Sequence, residues 1–198
     1  MENHLKLTGF EPIGFNNNKK QIILCETKRY VIDYVNSLKY RYNNKNPFIP
    51  NYIVKKSGEI LQVLEPEGYS KFLEIENIDH NAIIICLENL GWLKKNTLDD
   101  SYSNWIGDIY RKKVFEKKWR DYFFWDKYEE EQVKSVSQLI LKLCDKFNIP
   151  KKSIGSNVKM DGSEFFEGII TRSNLETNHK DVNPSFDFKL LKKNIGDV

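Results

Sequence analysis

Two short apolar runs, "QIILC" (21–25) and "NAIIICLEN" (81–89), constrain the fold more than any other feature of the chain. Neither alternates apolar with polar residues, as a strand with one wet face does. A continuous run of this length suits a strand buried on both faces, so layers must pack on either side of a sheet. Between the runs, Tyr30, Val31, Tyr34, Val35 and Leu38 recur at helical spacing, with Thr27 as a candidate N-cap. "NNKNPFIP" (43–50) should break that helix. "NYIVKKSGEILQVLEPEG" then predicts a hairpin turning at Ser57-Gly58.

Further along, Val133, Val136, Ile140, Leu143 and Phe147 form one helical face, and "NIP" stops it. Asp126 and Glu129 precede this helix in a capping-box pattern. A polar stretch (151–165) leads to the strand "GIIT", and "FKLLKKNI" is a last helix. The order predicts an α/β fold, a central mixed β-sheet flanked by helices. Residues 1–20, ending in "NNNKK", read as an N-terminal arm, and 21–198 as a single domain. Within it, 90–127 reads as an irregular, aromatic-rich insert.

Composition narrows the function. The net charge is +3, with no basic stripe set apart from the acids, which argues against nucleic acid as a partner. No apolar run reaches about 18 residues, so no membrane span is expected. "MENHLKLTGFEPIGF" lacks a signal-type apolar core, and the expectation is a cytoplasmic protein at synthesis. Cys25, Cys86 and Cys144 sit far apart in apolar runs and read as reduced core residues.

Four segments, in order, carry a resemblance: "NYIVKKSGEILQVLEP", "DHNAIIICLENLGWL", "QLILKLCDKFNIP" and "GIITRSNLETNHKDVNPSFDF". Together they resemble the zinc-dependent N-acetylmuramoyl-L-alanine amidases, whose fold is shared with phage lysozyme-type amidases and peptidoglycan recognition proteins. The resemblance covers roughly 21–192 and implies a zinc ion, bound by two His and a third Cys, Asp or His. That ion would activate a water against the amide joining glycan and stem peptide.

Carried over position by position, the implied site is altered. The first ligand falls on Leu24 or Cys25, the second on Arg172 and the third on Asn183. A guanidinium stays protonated and cannot bind a cation, and a neutral amide is a poor zinc ligand. The family's carbonyl-stabilising lysine falls on Asp181, with Lys180 adjacent. Its hairpin His falls on Asn51, and its acid or Cys on the "IIICLE" strand falls on Cys86. A substitute zinc set would be Cys25, His179 and Asp181.

The expectation is therefore a non-catalytic binding module of this fold without a cofactor, related to phage proteins. Arg172, Asn51, Asn174, His179, Asp181, Asn183 and Trp92 would line its former zinc cleft. Arg172 reads either as an anion-binding group or as a salt bridge to Asp181 or Glu88, roles that are compatible. Asn174 and Asn183 read also as turn residues, Cys86 as core rather than nucleophile, and His80 as an exposed loop residue. The four tryptophans, Trp92, Trp105, Trp119 and Trp125, pack the insert, with one or two left at the cleft for stacking. Arg120 is a second possible anion contact. The expected ligand is a peptidoglycan fragment or a small anion such as a nucleotide signal. The alternatives are a hydrolase using the substitute zinc set, or a structural virion component contacting other virion proteins.

Overall fold

A computed structural model of the chain describes residues 4–43 and 48–197. The apolar runs become neighbouring parallel strands at the centre of a mixed sheet. In chain order the first elements are β1 (Leu5–Lys6), β2 (Gly14–Phe15), β3 (Gln21–Glu26), α1 (Val31–Asn43), β4 (Tyr52–Val54) and β5 (Ile60–Gln62). Next come β6 (Gly68–Tyr69), α2 (Glu76–Asn81), β7 (Ala82–Leu87) and five insert strands. These are β8 (Trp92–Lys95), β9 (Tyr102–Ser103), β10 (Ile109–Tyr110), β11 (Phe115–Trp119) and β12 (Tyr122–Trp125). The chain ends with α3 (Glu130–Phe147), β13 (Gly168–Thr171), α4 (Arg172–Leu175) and α5 (Phe188–Ile195).

The main sheet has the order β1-β5-β4-β7-β3-β13, with β4–β5 its antiparallel hairpin and β4, β7, β3 and β13 mutually parallel. Both faces are covered, as the unbroken apolar runs require. Ile22, Leu24, Ile83, Ile85 and Leu87 face one core, closed by α3 and α5. Ile23, Cys25, Ile84, Cys86 and Ile170 face the other, closed by α1 and the 70–78 region. The three cysteines are free and buried.

Several expectations change. Thr27 does not cap α1; its hydroxyl donates to Arg29 O, and Glu88 Oε1 accepts the Val31 N–H at 3.0 Å. Part of the predicted helix breaker, 44–47, lies outside the described residues, and α1 ends at Asn43. Asp126 does not cap α3 either. It is fully buried, paired with Lys56 and accepting the Leu90 N–H. Residues 4–20 lie along the fold, with β1 on the edge of the main sheet and β2 on β6. The insert is a regular antiparallel sheet, β10-β9-β8-β12-β11. His80 lies in α2, not a loop, though it is exposed.

Asn51 is a strut rather than a ligand contact. Its Nδ2 donates to Glu65 O and Gly68 O, and its Oδ1 accepts the Ile84 N–H at 2.9 Å, tying the hairpin to β7. Every polar atom of that side chain is used inside the fold. Asn51→Ala should therefore lower stability by about 2–4 kcal/mol, because it orphans buried backbone groups. Chemical denaturation checks this: a loss near zero would show that the hairpin does not depend on the strut.

Candidate functional site

Parallel strands end on one edge of the sheet, and there the chain assembles its charged groups, as open α/β sheets do. Glu26 ends β3, Lys28 follows it, and Arg172 starts α4 directly after β13. Thr171 and Asn174 form a capping box that starts this short helix. From α4 the chain folds back: Ser173 N donates to Asp181 O, and Ser173 Oγ to His179 O. Arg120 reaches across from the insert and donates to the carbonyls of Thr177 and His179. This clasp carries Asp181 and His179 back over the strand ends.

The result is a cleft of about 280 Å³, lined by Glu26, Lys28, Arg41, Arg172, His179 and Asp181, with Tyr34, Phe72 and Glu74 at its walls. Asp181 is buried at its floor, with Lys28 Nζ 2.8 Å from Oδ1, while Oδ2 accepts the Glu26 N–H at 3.2 Å. Burial alone would raise this carboxyl. The Lys28 ammonium and Arg172 guanidinium outweigh that and hold it below the usual range. Arg172 lies over the Phe72 ring and makes a 3.4 Å contact to Glu176, whose other oxygen meets His179 Nε2 at 3.0 Å. Burial and the Arg172 charge lower His179, which favours its neutral form.

Glu26, absent from the sequence-based site, is its most perturbed acid. Burial and the neighbouring Asp181 push it up to about 8, against the pull of Lys28. Oε1 accepts the Tyr128 hydroxyl at 2.6 Å and the Asn183 N–H at 2.8 Å. Oε2 has no partner, so it is the oxygen left to carry the proton. The signal was available: a carboxyl closing an apolar strand sits where a parallel sheet presents its chemistry.

Of the predicted residues, Arg172, His179 and Asp181 meet in the cleft. Asn174 and Asn183 do not line it. Asn174 Nδ2 donates to Ser156 O and Val158 O, and Asn183 Nδ2 to Asn89 Oδ1 and Asp126 O; both are fully buried. Trp92 stacks on Tyr122 at 4.5 Å within the insert, away from the cleft. Leu24 and Cys86 are fully buried, Leu24 in one core and Cys86 in the other beside the Tyr34 hydroxyl. Among the tryptophans, Trp105 is half exposed and donates its indole N–H to Lys28 O, which docks the insert on the cleft's lip.

The family model described as N-acetylmuramoyl-L-alanine amidase matches residues 18–183, and the chain belongs to that family. Its fold resembles the N-acetylmuramoyl-L-alanine amidase LysC from Clostridium intestinale, with a TM-score of 0.61 at 10% identity, covering 99% of each chain. The endolysine amidase LysCS of the same organism gives 0.59 at 12% identity over 99% of this chain and 97% of that one. The Staphylococcus aureus hydrolase AmiA gives 0.56 at 12% identity, over 97% of this chain and 80% of its own. None of the curated proteins matches the chain in sequence.

The residues present do not fit the zinc that this family implies. Among the described residues, no group of three or more His, Cys, Asp and Glu is placed to hold a metal ion. Cys25 is fully buried. Burial, with Cys86 and Asp181 nearby, raises its thiol well above the usual value, whereas a zinc ligand must be a thiolate. Asp181 is engaged by Lys28, and His179 by Glu176. Lys28 and Arg172, which line the same cleft, are cations and offer no lone pair to a metal.

The Glu26 proton has a measurable consequence. Its folded pKa is raised, so its stabilising contribution is complete below about 4.5 and fades as pH climbs through about 8. Wild type should lose up to roughly 4 kcal/mol relative to Glu26→Gln across that window. Paired denaturation curves at pH 5 and pH 8.5 measure it; parallel profiles would mean that Glu26 titrates normally.

Proposed function

We propose that this chain is a binding member of the amidase family, whose cleft holds an acceptor-rich anionic group of a peptidoglycan fragment without hydrolysing it. The observation that carries the reading is the Lys28–Asp181 ion pair at the cleft floor. A cation of the chain itself neutralises the carboxylate, and Arg172 adds a forked, permanently charged donor beside it. Two cationic donors in one small cavity suit a carboxylate of a cell-wall peptide. The same donors would accept a phosphate, so a free nucleotide serves as the competing probe.

No resident zinc enters this reading, and hydrolysis through Cys25, His179 and Asp181 is the outcome that would replace it. The family supports peptidoglycan as the ligand. One structural relative is described as an endolysine, which supports a phage-related origin, with a place in a virion as a possible setting.

The test uses protein purified without chelator. Zinc by elemental analysis should be far below one per chain, insoluble peptidoglycan should retain the protein, and no stem peptide should be released. Stoichiometric zinc or peptide release would overturn the reading, and retention abolished by nucleotide rather than by soluble cell-wall peptides would redirect it. Arg172→Gln should weaken retention ~10-fold or more, since hydrogen bonds to charged groups are the strong ones. Its melting temperature should change little, because Lys28 still pairs with Asp181.

A further inference from the structure

The cations that line the cleft are not equally free. Lys28 Nζ lies 2.8 Å from the buried Asp181 Oδ1, and Arg172 Nε makes its 3.4 Å contact to Glu176 Oε1. Arg41, the third lining cation, pairs with no carboxylate among the described residues. Its Nε donates to Ser37 O at 3.3 Å, one helical turn back, and its Nη atoms have no partner there. The guanidinium lies over the Tyr34 ring, 5.9 Å from the centroid, as Arg172 lies over Phe72 at 5.7 Å. A ring attracts a guanidinium through its π face and uses none of its N–H donors.

Arg41 stands in the last turn of α1, where a cation also suits the helix dipole. That role asks only for charge, and a lysine would serve it equally. It does not call for an unspent fork on the wall of a cavity. The cavity's size then limits what reaches the fork. At about 280 Å³ the cleft falls short of the ~300–1,000 Å³ of pockets that enclose a whole small ligand. The Lys28–Asp181 pair occupies its floor, so it suits the end of a chain better than a stretch of one. Glu74 is the one lining carboxyl that is exposed, and its charge opposes an entering anion. Binding therefore depends on directed donors rather than on net charge.

Resting on the binding function proposed above, we infer that Arg41 is the specificity-determining contact of the cleft, and that it takes the terminal carboxylate of a cell-wall peptide. A guanidinium fork meets a carboxylate in its own plane through paired N–H···O bonds. Arg41 supplies such a fork with its Nη donors unspent, and Arg172 adds permanent charge in the same cavity. Lys28, whose ammonium is already engaged by Asp181, holds the floor in place rather than the ligand.

A soluble stem peptide with a free terminal carboxylate is compared by calorimetry with the same peptide amidated at that end. Wild type should bind the free acid more tightly by ~10-fold or more. Arg41→Gln should bring the two peptides to equal affinity. Arg41→Lys keeps the charge but not the fork and should lose most of the preference, with melting temperatures unchanged in both variants. Glu74→Gln should tighten the free acid more than the amide. Equal affinity of the two peptides for wild type, or a preference that survives in Arg41→Gln, would overturn the role of Arg41 while leaving the cleft reading intact. A preference fully restored by Arg41→Lys would show that charge suffices, and overturn the fork. Failure of both peptides to bind would instead overturn the cleft reading. Arg41 is then read alone by titrating wild type with acetate at constant ionic strength and following its Nε–H resonance, assigned by its loss in Arg41→Gln. A saturable shift supports the carboxylate contact, and no shift overturns it.

Discussion

The ion pair between Lys28 and Asp181 holds the functional edge of this molecule together. Asp181 belongs to the loop after β13, Lys28 to the turn after β3, and the Glu26 amide joins them by donating to Asp181. Lys28 adopts a left-handed backbone with a φ of 57°. Its carbonyl, turned the other way, accepts the Trp105 indole and the Asn104 amide of the insert. One residue thus fixes the main sheet, the 172–183 segment and the insert relative to one another. Buried ion pairs seldom add much net stability over apolar packing, but removing one partner strands a charge, at a cost of about 3–5 kcal/mol. Such a pair is better understood as specifying an arrangement than as strengthening it.

The same pair explains why two carboxyls share one floor in different protonation states. Asp181 has the nearby cations and stays ionised; Glu26, beside it and equally buried, is pushed up to about 8. Two like charges in a desolvated space cannot both form cheaply, so the group with the weaker compensation keeps its proton. Tyr128 and Asn183 satisfy one oxygen of Glu26 and leave the other buried without a partner. The cleft in this way places its cations around a single compensated anion.

How much of this was legible in the sequence depended on how local the cause was. The strands β3 and β7 were legible because burial on both faces leaves an unbroken apolar run, and the 168–188 segment because its strand and "NPSFD" frame survive intact. The insert was not, since four of its strands expose enough polar or aromatic surface to hide any alternation, and its pairing is set by partners far along the chain. The site was half legible. Arg172, His179 and Asp181, all expected at the cleft, line it, whereas Asn183, to which the proline register assigned a ligand's place, does not. The Ser173, His179 and Asp181 contacts draw the chain back so that Asp181 lies there. Such loop closure depends on backbone geometry that residue types do not announce.

The fate of Asn183 shows why a retained motif is weak testimony to retained chemistry. Its amide, with Asn89, Asp126 and Ser185, forms a buried network that anchors the strand ends to the segment preceding α3. Every group there is satisfied within the fold, so selection for folding alone would keep it. The cleft residues differ in kind: Lys28 and Arg172 are paired with Asp181 and Glu176, yet they line an open cavity that a ligand could enter. What such a site recognises follows from the charges it holds now rather than from the frame that carries them.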